Sequence, residues 1–169
     1  PTGVYGASKL AGEEAVKEIY PEHSAIIRTS WVYSSFGNNF VKTMLRLMAE
    51  KEQLSVVSDQ IGCPTYGKGL AVFIWQLALK EHLEPIYHWS DAGVASWYDF
   101  AIAIQSIGIE HGILAKKIPI RAIPSSDYPT PAKRPNFSLL SLKDSMNIVE
   151  PVYWREQLEC CLIKLKSMK

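Results

Sequence analysis

The apolar and polar positions alternate between two rhythms along the chain. Residues 5–19 place Leu10, Ala11, Ala15 and Ile19 on one stripe, the spacing of a helix, and Pro21 ends it. The run "SAIIRTSWVY" (24–33) is β-branched and aromatic throughout, which predicts a buried strand. The turn-rich "SSFGNN" follows, with Asn38 or Asn39 placed to cap a helix over "FVKTMLRLMAEKE". "LSVVSD" (54–59) predicts a second strand, "QIGCPTYGKG" a loop, and "LAVFIWQLALKEH" a long apolar helix. A third strand is expected at "IYHWSD" (86–91). A helix follows over "SWYDFAIAIQSIGI", where Ser96 and Asp99 have capping-box spacing. A fourth strand, "KKIPIRAI" (116–123), leads into the loop "PSSDYPTPAKRPNFSLLS", too long to be mere connection. An amphipathic helix from about Tyr153 to Lys166 closes the chain.

Strands alternating with helices predict an α/β fold with parallel pairing. Four strands are few for a doubly wound sheet, and the pattern reads as the second half of a larger Rossmann-like sheet with a small α/β region attached. Residue 1 is a proline at the mouth of a helix, so the chain is expected to be part of something longer. No strand-to-helix turn carries the glycine spacing of a phosphate-cradling loop. "GASKLAG" follows no strand, and an adenine-binding half would have to lie before Pro1.

Composition narrows the function classes. The 169 residues are 47% hydrophobic and 21% charged with a net charge of +1, which makes no electrostatic case for nucleic acid. No apolar stretch has the length of a membrane span, and no basic-then-apolar leader is seen. Cys63, Cys160 and Cys161 make a poor disulfide framework and fit a reducing cytoplasm. His23, His82, His88 and His111 lack metal-ligand spacing, so no metal site is expected.

Tyr5 and Lys9 are four apart, hence on one helix face. A phenol ionises near pH ~10, so proton exchange near neutrality asks for about 4 kcal/mol of help; one ammonium at ~4 Å in an effective dielectric of ~20 supplies that much. The plain alternative is a packed tyrosine beside a solvated lysine. Trp31 ends a predicted strand, where open α/β sheets place ligands; a core tryptophan is the alternative. Gly62 and Pro64 mark "DQIGCPT" as a rigid loop, Gly62 permitting an unusual backbone. The aromatic stripes in "FIWQ" and "WYDF" have helical spacing and are read as core.

"YGASKLAGEEAV" resembles the Tyr-x-x-x-Lys helix of the short-chain dehydrogenase/reductase superfamily, in its extended, sugar-nucleotide branch. "RTSWVY", "GNNFVKTML" and "SDQIGCPTY", then "TPAKRPNFSLLSLK" and "PVYW", follow in the order seen in the dTDP-4-dehydrorhamnose reductase family. The resemblance runs along nearly the whole chain. It implies that the full protein reduces the 4-keto group of a dTDP-linked 6-deoxyhexose with NADPH or NADH, giving dTDP-L-rhamnose for cell-surface polysaccharide. Tyr5 would be the proton donor, and Lys9 would support it and bind a cofactor ribose. Trp31, Asn39, Gln60, Arg134 and Ser138 would contact the sugar nucleotide. Three of these have a bland alternative besides that of Trp31: a helix cap for Asn39, a structural loop for Gln60, a surface cation for Arg134.

The resemblance further implies a division in which residues 1–58 complete the NAD(P)-binding domain. Residues 59–169 would be mostly substrate-binding, intermixed with the last sheet strand or strands. The glycine-rich loop and the Ser/Thr partner of Tyr5 would precede Pro1, so the chain alone is expected to be inactive. A cytoplasmic enzyme, self-associating through its exposed sheet edge, with a homodimer as the candidate assembly, completes the expectation. Two other readings share these features: another extended sugar-nucleotide epimerase or dehydratase, and a non-catalytic regulatory relative of the kind associated with methionine adenosyltransferase.

Overall fold

The computed structural model describes residue 1, residues 3–132 and residues 134–168. Helix α1 (Val4–Ile19) leads into strand β1 (Ile26–Thr29), and β2 (Val32–Tyr33) follows after a break at Trp31. Then come α2 (Phe40–Glu50), β3 (Leu54–Val57), β4 (Ile61–Gly62), β5 (Thr65–Tyr66) and α3 (Gly67–Ala78). The remainder is β6 (Ile86–Trp89), β7 (Ala95–Ser96), α4 (Trp97–Glu110), β8 (Ile120–Ile123), a 3-10 turn (Ser125–Asp127) and α5 (Trp154–Ser167).

The α/β class is as expected, with parallel pairing dominant. β1 runs parallel to β6, β2 to β5, and β3 to β8, while the short pair β4–β7 is antiparallel. The strands lie in two-stranded pairs rather than one continuous sheet, and β1 has β6 as its one strand partner among the described residues.

Local sequence explains most element ends. The Asn39 side chain accepts the Lys42 N–H at 3.2 Å and starts α2. Val41, Met44 and Met48, at helical spacing, turn one face of α2 into the core. Ser96 and Asp99 form the reciprocal capping box of α4: the Asp99 N–H donates to Ser96 Oγ at 3.0 Å, and the Ser96 N–H to Asp99 Oδ2 at 2.9 Å. α4 is apolar over most of its circumference, with Asp99, Ser106 and Glu110 left exposed, and buries Phe100, Ala101, Ala103, Ile104 and Ile107, because α2, α5, β3, β7 and β8 all pack on it.

Two apolar clusters result. The larger centres on α4, with Val41, Phe100, Ile104, Leu158 and Leu162 fully buried. The smaller lies between α3 and β6, where Phe73 stacks on Trp89 at 4.4 Å between ring centroids. No helix among the described residues is long and apolar enough to cross a membrane.

Four local expectations need correcting. The strand expected over 24–33 is interrupted, because Trp31 adopts a left-handed backbone (φ 47°) between β1 and β2. The loop expected after residue 59 contains β4 and β5. The strand expected over 116–123 begins at Ile120, with Pro119 before it. The "FIWQ" stripe is only partly core: Phe73 is buried, but Trp75 on the opposite face of α3 is 71% exposed.

Candidate active site

α1 carries Tyr5 and Lys9 on one face, with the Lys9 ammonium 5.5 Å from the centre of the Tyr5 ring. Both side chains are exposed, and α1 buries no residue among those described. The phenol is therefore accessible rather than consumed by packing. α1 is tied to the sheet by Glu13, whose carboxylate accepts two hydrogen bonds from Arg28 of β1, Nε to Oε1 at 2.8 Å and Nη2 to Oε2 at 2.5 Å.

A second group assembles just beyond the C-terminal end of β1. The Trp31 indole stacks on Trp97 of α4, with ring centroids 3.7 Å apart and 13° between planes. Gly62 of β4 lies against the same indole. A Cβ on Gly62 would come within 2.9 Å of Trp31 Cε2 and Cζ2 and 2.9 Å of Ser138 Oγ. Gly62 serves here through the space it leaves, not through an unusual backbone, because its φ lies outside the left-handed region. Ser138 is held by two bonds to the Ile61 carbonyl, from its N–H at 2.9 Å and its hydroxyl at 3.2 Å. The Ile61 N–H in turn donates to the Asn136 carbonyl at 2.7 Å. The long loop after β8 is thereby laid along β4.

Of the seven residues singled out in the sequence, the structure places Tyr5 beside Lys9 in one group, and Trp31 and Ser138 on either side of Gly62 in another. Gln60 is partly buried immediately before β4. Arg134 is exposed in the long loop. Asn39 performs the cap described above, and its Nδ2 donates to the Ser34 carbonyl at 2.8 Å. An open, mainly apolar groove of about 680 Å³ between α3 and α5 includes none of the seven.

Two residues escaped the sequence reading. Trp97 looked like core because of its helical spacing, yet it is half-buried and faces Trp31. Asp91, just after β6, is 1% exposed, and its Oδ2 accepts the Tyr66 N–H at the start of α3 at 2.9 Å. Burial pushes its carboxyl up to about 7, against the lowering effect of that N–H. Cys63, buried nearby, donates its thiol to the Asp91 carbonyl at 3.0 Å, and burial pushes the thiol up to about 12, so it is a packing group rather than a nucleophile.

A cofactor has a plausible foothold only in part. Lys9 offers an accessible ammonium beside an accessible phenol, which suits the ribose and the reacting end of a nicotinamide nucleotide. No glycine-rich strand-to-helix turn for its diphosphate is found among the described residues.

Comparison with known proteins bears on the family and the fold. The spore coat polysaccharide biosynthesis protein SpsK of Bacillus subtilis is 43% identical over 160 residues, covering 94% of this chain and 53% of its own length. The dTDP-4-dehydrorhamnose reductase of Aggregatibacter actinomycetemcomitans is 42% identical over 166 residues, covering 94% and 56%. The chain thus spans about half the length of the curated relatives it matches. Among solved structures, dTDP-4-dehydrorhamnose reductase of Bacillus anthracis in complex with NADP superposes with a TM-score of 0.86 at 39% identity, over 97% of this chain and 56% of that one. The family described as the RmlD substrate binding domain matches residues 1–167. With nearly its whole length so matched, the chain belongs to the RmlD substrate binding domain family.

Proposed function

We propose that the whole protein is an NAD(P)H-dependent reductase of a dTDP-linked 4-keto-6-deoxyhexose, with dTDP-4-dehydrorhamnose as substrate and dTDP-L-rhamnose as product. The observation that carries this reading is the Tyr5–Lys9 pair, accessible and on one face of α1. The relatives named as dTDP-4-dehydrorhamnose reductases support the choice of substrate.

A bound nicotinamide cofactor supplies the hydride that adds to the carbonyl carbon. Tyr5 donates its hydroxyl proton to the carbonyl oxygen, so the new alcohol takes its hydrogen from the phenol. Lys9 steadies the phenolate left behind and donates to a ribose hydroxyl. Trp31, Gln60 and Ser138 line the sugar-nucleotide side, and Arg134 offers its guanidinium fork to the diphosphate. Asn39 would add a contact only through its second amide hydrogen, which reaches the Phe36 carbonyl at a weak 3.5 Å.

In the same reading, residues 1–58 complete the cofactor-binding domain, together with β6, which pairs with β1. Most of residues 59–169 form the substrate side. The decisive assay follows NADPH oxidation by the complete enzyme with a dTDP-4-keto-6-deoxyhexose and, in parallel, with a UDP-hexose. Oxidation with the dTDP-sugar alone is expected. No oxidation with it removes the reductase reading.

A further inference from the structure

Trp31 is fixed more firmly than a half-buried side chain at a strand end needs to be. Trp97, at the first residue of α4, covers one face of the indole at 3.7 Å, and Phe40 of α2 leans on Trp97 with ring centroids 4.7 Å apart. Gly62 lies against the Cε2–Cζ2 edge so closely that no Cβ fits. The backbone is held as well. The Thr65 N–H donates to the Trp31 carbonyl at 3.2 Å, and the hydroxyl of neighbouring Ser30 donates to the Cys63 carbonyl at 2.8 Å. These contacts sustain a left-handed backbone (φ 47°) in a bulky residue, a conformation that persists only where the surroundings over-determine it and that gathers at functional sites.

The tryptophans that serve only the core differ. Trp89 and Trp154 are 2% and 5% exposed, whereas Trp31 and Trp97 both remain half-buried. The Trp31–Trp97 pair thus keeps part of its aromatic surface open just beyond the C-terminal end of β1, where open α/β sheets place their ligands.

We propose that Trp97 and Gly62 are positioning residues for sugar-nucleotide binding, clamping the Trp31 indole in the single orientation that receives the ligand. This rests on the reading of Trp31 as a ligand contact. Neither Trp97 nor Gly62 need touch the ligand. Trp97 supplies the surface on which the indole lies flat, and Gly62 supplies the space into which the indole's edge fits. An indole free to swing would have to be immobilised during binding, which weakens affinity; a clamped one is already in place. The effect belongs in KM for the sugar nucleotide rather than in the chemical step.

The test uses the complete enzyme with a dTDP-4-keto-6-deoxyhexose and NADPH, and compares Gly62→Ala, Trp97→Leu, Trp97→Phe and Trp31→Leu. Gly62→Ala and Trp97→Leu are each expected to raise the sugar-nucleotide KM by roughly 10- to 100-fold, with kcat and the KM for NADPH little changed. Gly62→Ala should also weaken, and Trp97→Leu abolish, the far-ultraviolet exciton couplet that a stacked indole pair gives in circular dichroism. Trp97→Phe should lose the couplet but recover most of the KM, because it restores a flat face. Folded Gly62→Ala and Trp97→Leu proteins with wild-type KM overturn the clamp. If Gly62→Ala does not fold, the Trp97→Leu and Trp97→Phe comparison decides alone, and equal KM values in those two variants overturn the proposal. Trp31→Leu separates the two ideas. A raised KM there with wild-type KM in the clamp variants removes only the clamp, while a wild-type KM for Trp31→Leu itself removes the contact on which the clamp depends.

Discussion

Glu13 of α1 and Arg28 of β1, fifteen residues apart, meet through two parallel hydrogen bonds of 2.8 and 2.5 Å. The guanidinium fork holds the Glu13 carboxyl below its ordinary range, chiefly through those bonds. The pair matters because α1 buries no side chain among the described residues, so little else ties the helix bearing Tyr5 to the sheet. A carboxyl held low in the folded state contributes stability above its unfolded value and loses it as pH falls through the folded value. With the Arg28 side chain 41% exposed, the contribution is about 1 kcal/mol or less. Glu13→Gln is therefore expected to speed amide exchange across Val4–Ile19 while barely moving global unfolding. Equal α1 protection in the variant and the parent would show that the ion pair does not hold the helix.

Asp91 sets an opposite pH dependence. Its Oδ2 accepts the Tyr66 N–H, while its buried Oδ1 has no hydrogen-bond partner among the described residues. Burial raises the carboxyl from 3.8 to about 7. A group whose folded value is raised contributes stability below its unfolded value and loses it as pH rises through the folded one. Resistance to denaturant should fall between pH ~4 and pH ~8, by an amount of order a few kcal/mol. Asp91→Asn should flatten that slope, since an amide keeps the acceptor for Tyr66 without titrating. Denaturant midpoints measured across that range check it, and an unchanged slope in Asp91→Asn assigns the titration elsewhere.

The free edge of β1 predicts association of the 169-residue chain by itself. β1 pairs with β6 alone among the described strands; Val4, Tyr5, Val16 and Ile19 of α1 with Tyr20 just after it, and Trp75 of α3 with Leu79 just after it, are exposed. Unpaired edges and clustered apolar surface favour contact with another chain. Sedimentation velocity should show concentration-dependent oligomers. A compact monomer at every concentration contradicts the prediction.

The parts of this fold legible in the sequence are those decided locally. The Ser96–Asp99 capping box and the Asn39 cap need only neighbours along the chain, and both helices begin where the spacing says. Trp31 was not legible as a break, because "SAIIRTSWVY" has uninterrupted strand propensity. Its left-handed backbone is sustained by Thr65, thirty-four residues on. β4 and β5 are two residues each, and Ile61 finds its partners at Ser96 and Phe137, which no local period reveals. Gly62 looked like a backbone device, whereas the distant indole it accommodates explains it better. Trp97 shows the limit of helical spacing as a guide, since a residue in register with the core can stay half-buried and stack on a side chain from another element. At the candidate site, the Tyr5–Lys9 face was readable from i, i+4 spacing, but the Trp31–Gly62–Ser138 grouping was not, because it joins three segments far apart in the chain: the break after β1, strand β4 and the loop after β8.

Tyr5→Phe in the complete enzyme tests the central claim most directly. The substitution removes the phenolic hydroxyl and keeps the ring over which the Lys9 ammonium lies at 5.5 Å. The measurement is kcat for NADPH oxidation with a dTDP-4-keto-6-deoxyhexose, alongside the sugar-nucleotide KM. A fall in kcat of roughly 10²–10⁴-fold with KM little changed is the predicted result, because the hydroxyl acts in the transition state rather than in binding. Wild-type kcat in Tyr5→Phe would contradict the account.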